Sequence, residues 1–197
     1  MKLQNRKIQV QRHLTGIFGR ETTTFDLSAI VIGSLSFAGL TLVLKWNANI
    51  SIIEMILLTI LALDIAGGVV ANFTTGTNNY HAESLRKRHL FVLFHLLQPS
   101  ILIWIFPNDL LSILCVSTYT LASSIVVLSI KKHYTQRIVA MTLLLLSFVL
   151  STLMNYSDPL TRILMQLFSM KLILAYSVNW TSGDNGETRT EDETTAL

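Results

Sequence analysis

Lys171 lies near the middle of the last of six apolar segments, and Asp64 lies inside the second. A charge in hydrocarbon costs about 2.5–3.5 kcal/mol even on lenient insertion scales, so each needs a partner, a proton or water. Together they supply an ion pair that can exchange a proton or hold a substrate charge. His95 and Gln98, three residues apart in the third segment, share a helix face and add an imidazole and an amide. Pro99 cannot donate a backbone bond to the carbonyl of His95, and in lipid that freed carbonyl must find another donor. At 1.5 Å per residue, Asp64, His95 and Lys171 lie about 12, 9 and 10 Å from the same end of their segments. The common depth predicts an Asp64–Lys171 pair with His95 alongside.

The second segment also carries Gly67, Gly68, Ala71 and Asn72. Gly68 falls about 40° from Asp64 around the helix and Asn72 about 80°, giving one small, polar face. Small residues admit a neighbouring helix at close range. Beyond it runs a polar loop with Asn79 and His81, followed by Arg86, Lys87 and Arg88, a set of donors suited to anionic lipid headgroups. The candidates for a substrate or proton site are therefore Asp64, Asn72, Asn79, His81, His95, Gln98 and Lys171. His81, His89 and His95 are the candidate metal ligands, although His89 and His95, six apart, point to different faces. No cofactor is inferred, because phosphate-binding and dinucleotide-binding glycine motifs are absent and Cys115 is the only cysteine.

The elements that must hold these residues are membrane helices. Hydrophobic residues make up 51% of the 197, charged residues 14%, and mean hydropathy is +0.52. About 20 apolar residues cross a bilayer, and six segments approach that length, at 26–45, 51–72, 89–106, 110–130, 138–156 and 161–178. The third is expected to kink or break at Pro99. The fifth, with Leu143 to Leu146, is the greasiest and is expected to face lipid most. Asp26 or Thr24 is expected to cap the first.

Lys and Arg set the orientation. Lys2, Arg6, Lys7, Arg12 and Arg20 precede the first segment. Arg86, Lys87 and Arg88 follow the second, and Lys131, Lys132 and Arg137 follow the fourth. The other side has only Lys45 and Arg162. With six spans every cluster faces the cytoplasm, as do both termini. The expected protein is an all-α, polytopic bundle of six transmembrane helices in the cell membrane. A basic arm occupies 1–25, with an amphipathic stripe of Val10, Leu14, Ile17 and Phe18. The transmembrane domain covers 26–178, and an acidic, disordered tail covers 179–197. A net charge of +3 gives no reason to expect nucleic acid. The expected partners are the bilayer and its anionic headgroups, with oligomerisation left open.

Three functions fit. A small transporter or channel component would use the intramembrane carboxylate for protons or substrate. A membrane-embedded enzyme would act on a lipid or isoprenoid at the cytoplasmic leaflet, with His81 or His95 as general base. A non-catalytic scaffold would use the charges only to select helix partners.

Overall fold

Two reciprocal caps open the first two long helices. Thr23 accepts from the backbone of Asp26 while the Asp26 carboxylate accepts from that of Thr23, which starts α2 (Thr24–Lys45). Ser51 and Glu54 do the same for α3 (Ile52–Phe73). The cap of α2 is thus Thr23, with Asp26 as its reciprocal acid and Thr24 already helical. Glu54 has the same capping role at the start of α3.

The computed structural model describes residues 7–180 apart from 12, 13, 47 and 49. The tail expected to be disordered lies almost wholly outside the described residues. Within them, β1 (Lys7–Gln9) and β2 (Glu21–Thr23) form a two-stranded antiparallel hairpin around α1 (Thr15–Phe18). The arm is a folded hairpin, and its helix is only four residues long. α3 is followed by α4 (Thr75–Ala82), α5 (Leu85–Phe94), α6 (Leu97–Ile105), a 3₁₀ turn at Pro107–Asp109, α7 (Leu110–Ser129), α8 (His133–Leu153) and α9 (Pro159–Ser169). α9 runs on as π-helix over Met170–Tyr176.

Among the described residues, five helical runs are long and apolar enough to cross a membrane: Thr24–Lys45, Ile52–Phe73, Leu85–Ile105, Pro107–Ser129 and His133–Leu153. They support an integral membrane protein. The sixth apolar segment is the 18-residue run of α9 and its π-helical continuation. It is the centre of the bundle, packed against α3, α7 and α8. Leu164, Phe168, Leu172 and Ile173 are buried in it, while Ile163 on the opposite face of α9 is exposed. Asp158 caps α9 through the Leu160 amide, and Pro159 opens its first turn.

Two expectations about helix shape change. The third segment breaks at His95–Leu96, one turn before Pro99, and the His95 carbonyl is not left over: the Gln98 amide donates to it at 3.2 Å. A tightened turn satisfies the group that proline orphans. The helix most exposed on its apolar surface is α2, not α8. α2 packs chiefly on α3, whereas α8 packs on α7, α9 and the π-helical turns.

Candidate functional site

Lys171 Nζ donates to Asp64 Oδ2 at 3.0 Å and to the Asp64 carbonyl at 3.2 Å. The Gln98 side-chain amide donates to the same Oδ2. The expected pair is formed, and it is lopsided: the Lys171 side chain is 2% exposed and that of Asp64 is 55% exposed. Lys171 reaches α3 along Gly68, where a Cβ would overlap its Cε. Gly68 is therefore the groove through which the lysine passes. The neighbouring Gly67 leaves room for Ser34 of α2.

Lys171 is held at the first π-helical turns. The Ser177 amide donates to the Leu172 carbonyl at 3.1 Å, the five-residue step of a π-helix. The wider turn brings Tyr176 onto Phe91, ring centroids 4.2 Å apart. π-helical turns interrupt regular ladders and recur at functional sites.

Asp64 faces a cavity of about 690 Å³. Its floor is α3 and its side walls are α2 and the broken third segment, with Lys171 at the back and Gly16 to Phe18 of α1 closing one end. Leu35, Ile60, Phe94 and Leu97 at the rim are exposed. Asp64, Gln98 and Lys171 bond together in this wall, Asn72 lies two turns from Asp64 along α3, and most of the remaining lining is aliphatic or aromatic.

The sequence-predicted residues divide. Asp64, Asn72, His95, Gln98 and Lys171 all line this cavity. His95 does not bond to Asp64: its Nδ1 engages the Phe91 carbonyl at 2.7 Å. His81 stands outside the cavity, its Nε2 on the Gly16 carbonyl at 3.0 Å and its ring about 5.0 Å from those of Phe91 and Tyr176. It ties the arm to the bundle. Burial pushes the His81 imidazole below its ordinary value; the Gly16 carbonyl opposes this and Arg88 adds to it. Asn79 belongs to a separate recess of about 500 Å³, with Lys7, Arg20, Glu21 and Thr75 among its lining.

The metal candidates are scattered. His89 bonds to the Leu85 carbonyl of its own helix. No group of three or more His, Cys, Asp and Glu side chains among the described residues is placed to hold a metal ion.

Several participants were not singled out in the sequence. Arg88, grouped there with exposed basic neighbours, is buried and donates to the Tyr176 carbonyl. Asn78 donates to the Val178 carbonyl at 2.9 Å and accepts from the Trp180 amide at 2.9 Å, fixing the end of the sixth segment. At the other end of the bundle Lys45 pairs with Asp158, and its Nζ lies 5.3 Å from the centre of the Phe106 ring. Asp109 is 1% exposed there and accepts from the Ser157 amide at 2.6 Å. A buried lysine at a helix end, with two carboxylates in later loops, was the available signal.

Comparison with known proteins gives no relative: no family model, no curated protein and no solved structure matches this chain.

Proposed function

We propose that this chain is a small six-helix transporter, with both termini cytoplasmic, that takes an amphiphilic substrate from within the bilayer. Its chain would lie in the cavity between α2 and the third segment, and its polar end would meet the Asp64–Lys171 pair. One observation carries this reading. The lysine is sealed in protein while the carboxylate is half open to a cavity lined mostly by apolar residues. A purely structural pair in hydrocarbon gains by closing both charges, because an exposed one finds no water there. A volume of about 690 Å³ falls within the range of small-molecule pockets, roughly 300–1,000 Å³. The Gly67–Gly68 step and the break at His95–Leu96 give the walls places to move.

An enzyme acting on a lipid at the same cavity is the second reading, favoured by His95 in the wall. The basic residues at the cytoplasmic end would hold anionic headgroups in either case.

The test begins with organic extraction of the purified protein and mass spectrometry of what co-purifies. The identified amphiphile is then loaded into proteoliposomes. Transport predicts flux down its gradient that Asp64→Asn abolishes. Chemical conversion without a gradient, lost in His95→Ala, would replace transport with catalysis. Full cellular function in Asp64→Leu/Lys171→Leu would reduce the pair to scaffolding.

A further inference from the structure

One end of the cavity is closed by the chain's own N-terminal arm, at Gly16, Ile17 and Phe18. The arm is held there with little burial, for no residue of α1 is buried. Its ties are polar and are made on its backbone. Thr77 Oγ1 donates to the Ile17 carbonyl at 2.9 Å, and His81 Nε2 donates to the Gly16 carbonyl at 3.0 Å. Arg20 pairs with Glu83 at 2.9 Å between exposed side chains. Two glycines permit this fit. Gly19, at a φ of 73°, lies directly on Gly76, and a Cβ on Gly76 would come within 2.0 Å of the Glu21 carbonyl oxygen.

The arm also has a second place to lie. Ile8, Leu14 and Ile17 stay exposed while it is docked. Apolar side chains flanked by Lys7 and Arg20 suit the surface of a leaflet. Leaving the bundle forfeits two neutral hydrogen bonds, worth about three- to tenfold each in an equilibrium, and an exposed ion pair worth less. In return the apolar side chains reach lipid. Behind the arm the cavity runs along α3 past Ala71, Gly68 and Gly67. From Asn72 to Asp64 this is eight residues, about 12 Å. On its flank the cavity meets lipid at the exposed Leu35, Ile60, Phe94 and Leu97.

We propose that the arm is a lid. Docked, it leaves the cavity open only sideways, to the bilayer. Undocked, it opens the level of Asp64 to the water on the arm's side of the membrane. Thr77 and His81 hold the lid shut, and Gly76 is the seat it closes on. The inference rests on the transport reading only for what passes the lid, and its test reads water access alone.

The test uses full-length protein in nanodiscs with no added amphiphile. Cys115→Ser removes the native thiol, and Ser34→Cys places one in the cavity wall beside Gly67. The probe is a permanently cationic methanethiosulfonate, which lipid excludes, and its reaction rate is followed by mass spectrometry. With the arm docked, this thiol should react far more slowly than one introduced by Lys132→Cys at an exposed position. Gly76→Ala should speed the reaction about tenfold or more, because the new methyl evicts the arm while alanine favours α4. Thr77→Val/His81→Phe removes both donors, keeps a ring against Phe91 and Tyr176, and should act in the same direction. Melting curves check that the variants are folded; should one fail, the other carries the test. An unchanged rate in a folded variant, or a cavity thiol as fast as the one at position 132 before any arm variant, overturns the lid. Faster labelling without amphiphile flux keeps the lid and removes transport, and flux with unchanged labelling does the reverse.

Discussion

Among the described residues, the bundle contains two lysine–carboxylate pairs at its polar levels, and they are built in opposite ways. Lys45–Asp158 is closed on both sides, with side chains 9% and 19% exposed. Phe106 covers the lysine, and the Asp158 carboxylate also caps α9. Lys171–Asp64 is closed on the lysine and open on the carboxylate. A charge pair that only joins helices is best enclosed and given further hydrogen bonds, as the first is through Phe106 and the Leu160 amide. The second keeps its acid available to whatever enters the cavity. The contrast separates a fastening from a binding site, although residue types alone would rank the two pairs as equals.

The largest expected effect breaks the fastening. Lys45→Ala leaves Asp109 and Asp158 without their cation and should cost about 3–5 kcal/mol of stability, read as a fall in detergent melting temperature. Lys45→Met/Asp158→Asn should recover only the Asp158 share, since Asn still caps α9 while the buried Asp109 stays without its cation. A Lys45→Ala protein as stable as wild type would dissolve the contrast. Next comes Gly68→Leu, which fills the groove under the Lys171 stem. Overpacking of that kind costs about 1–3 kcal/mol, and amphiphile retention should fall with it. Gly39→Ala, where an added Cβ meets nothing within 4 Å, should stay within about 0.5 kcal/mol of wild type.

Asp64→Asn sharpens the comparison from the other side. Lys171 keeps the carbonyl of residue 64 and an amide oxygen but loses its counter-charge inside protein, so the loss should approach that of Lys45→Ala, about 3–5 kcal/mol. Ligand retention should be lost as well, and a destabilised variant that still retains ligand would make the open pair structural.

The smallest effect lies where the arm closes the cavity. His81 is neutral in the native protein because burial lowers its affinity for protons. That stability is fully present above the ordinary imidazole value, about 6.5, and is lost as pH falls from there through the lowered native value. Between pH 7.5 and 5.5 wild type should lose more stability than His81→Gln, by less than about 1 kcal/mol. Equal losses would mean that the arm does not bury His81.

The open pair was legible in the sequence because hydrocarbon makes an isolated charge conspicuous, and because rise per residue converts position into depth. Asn72 and Gln98 could be read from spacing around the same helices. Asn79 and His81 read from sequence as part of a polar loop; they lie on α4, whose polar run has no apolar stripe to say which side chain turns inward. Arg88 was hidden among neighbours that share its charge. Lys45 was hidden by its place at a helix end, where a lysine reaching water costs little; only the later loops carrying Asp109 and Asp158 reveal that it is enclosed. Apolar content likewise marks a helix as lipid-compatible without saying which one lies outside, so α8 was expected where α2 stands. The π-helical turns leave no pattern in a run where every residue from Lys171 to Tyr176 is buried.

The separation of the open pair along the chain has a consequence for synthesis. Asp64 is made 107 residues before the lysine that neutralises it. At about 5–20 residues per second, it waits roughly 5–20 s for its counter-charge. Gln98 arrives only 34 residues after Asp64 and can bond to the carboxyl in either protonation state. The amide is therefore the first partner that the nascent hairpin of α3 and the third segment offers, and a ribosome stalled before Lys171 would hold this acid against glutamine alone.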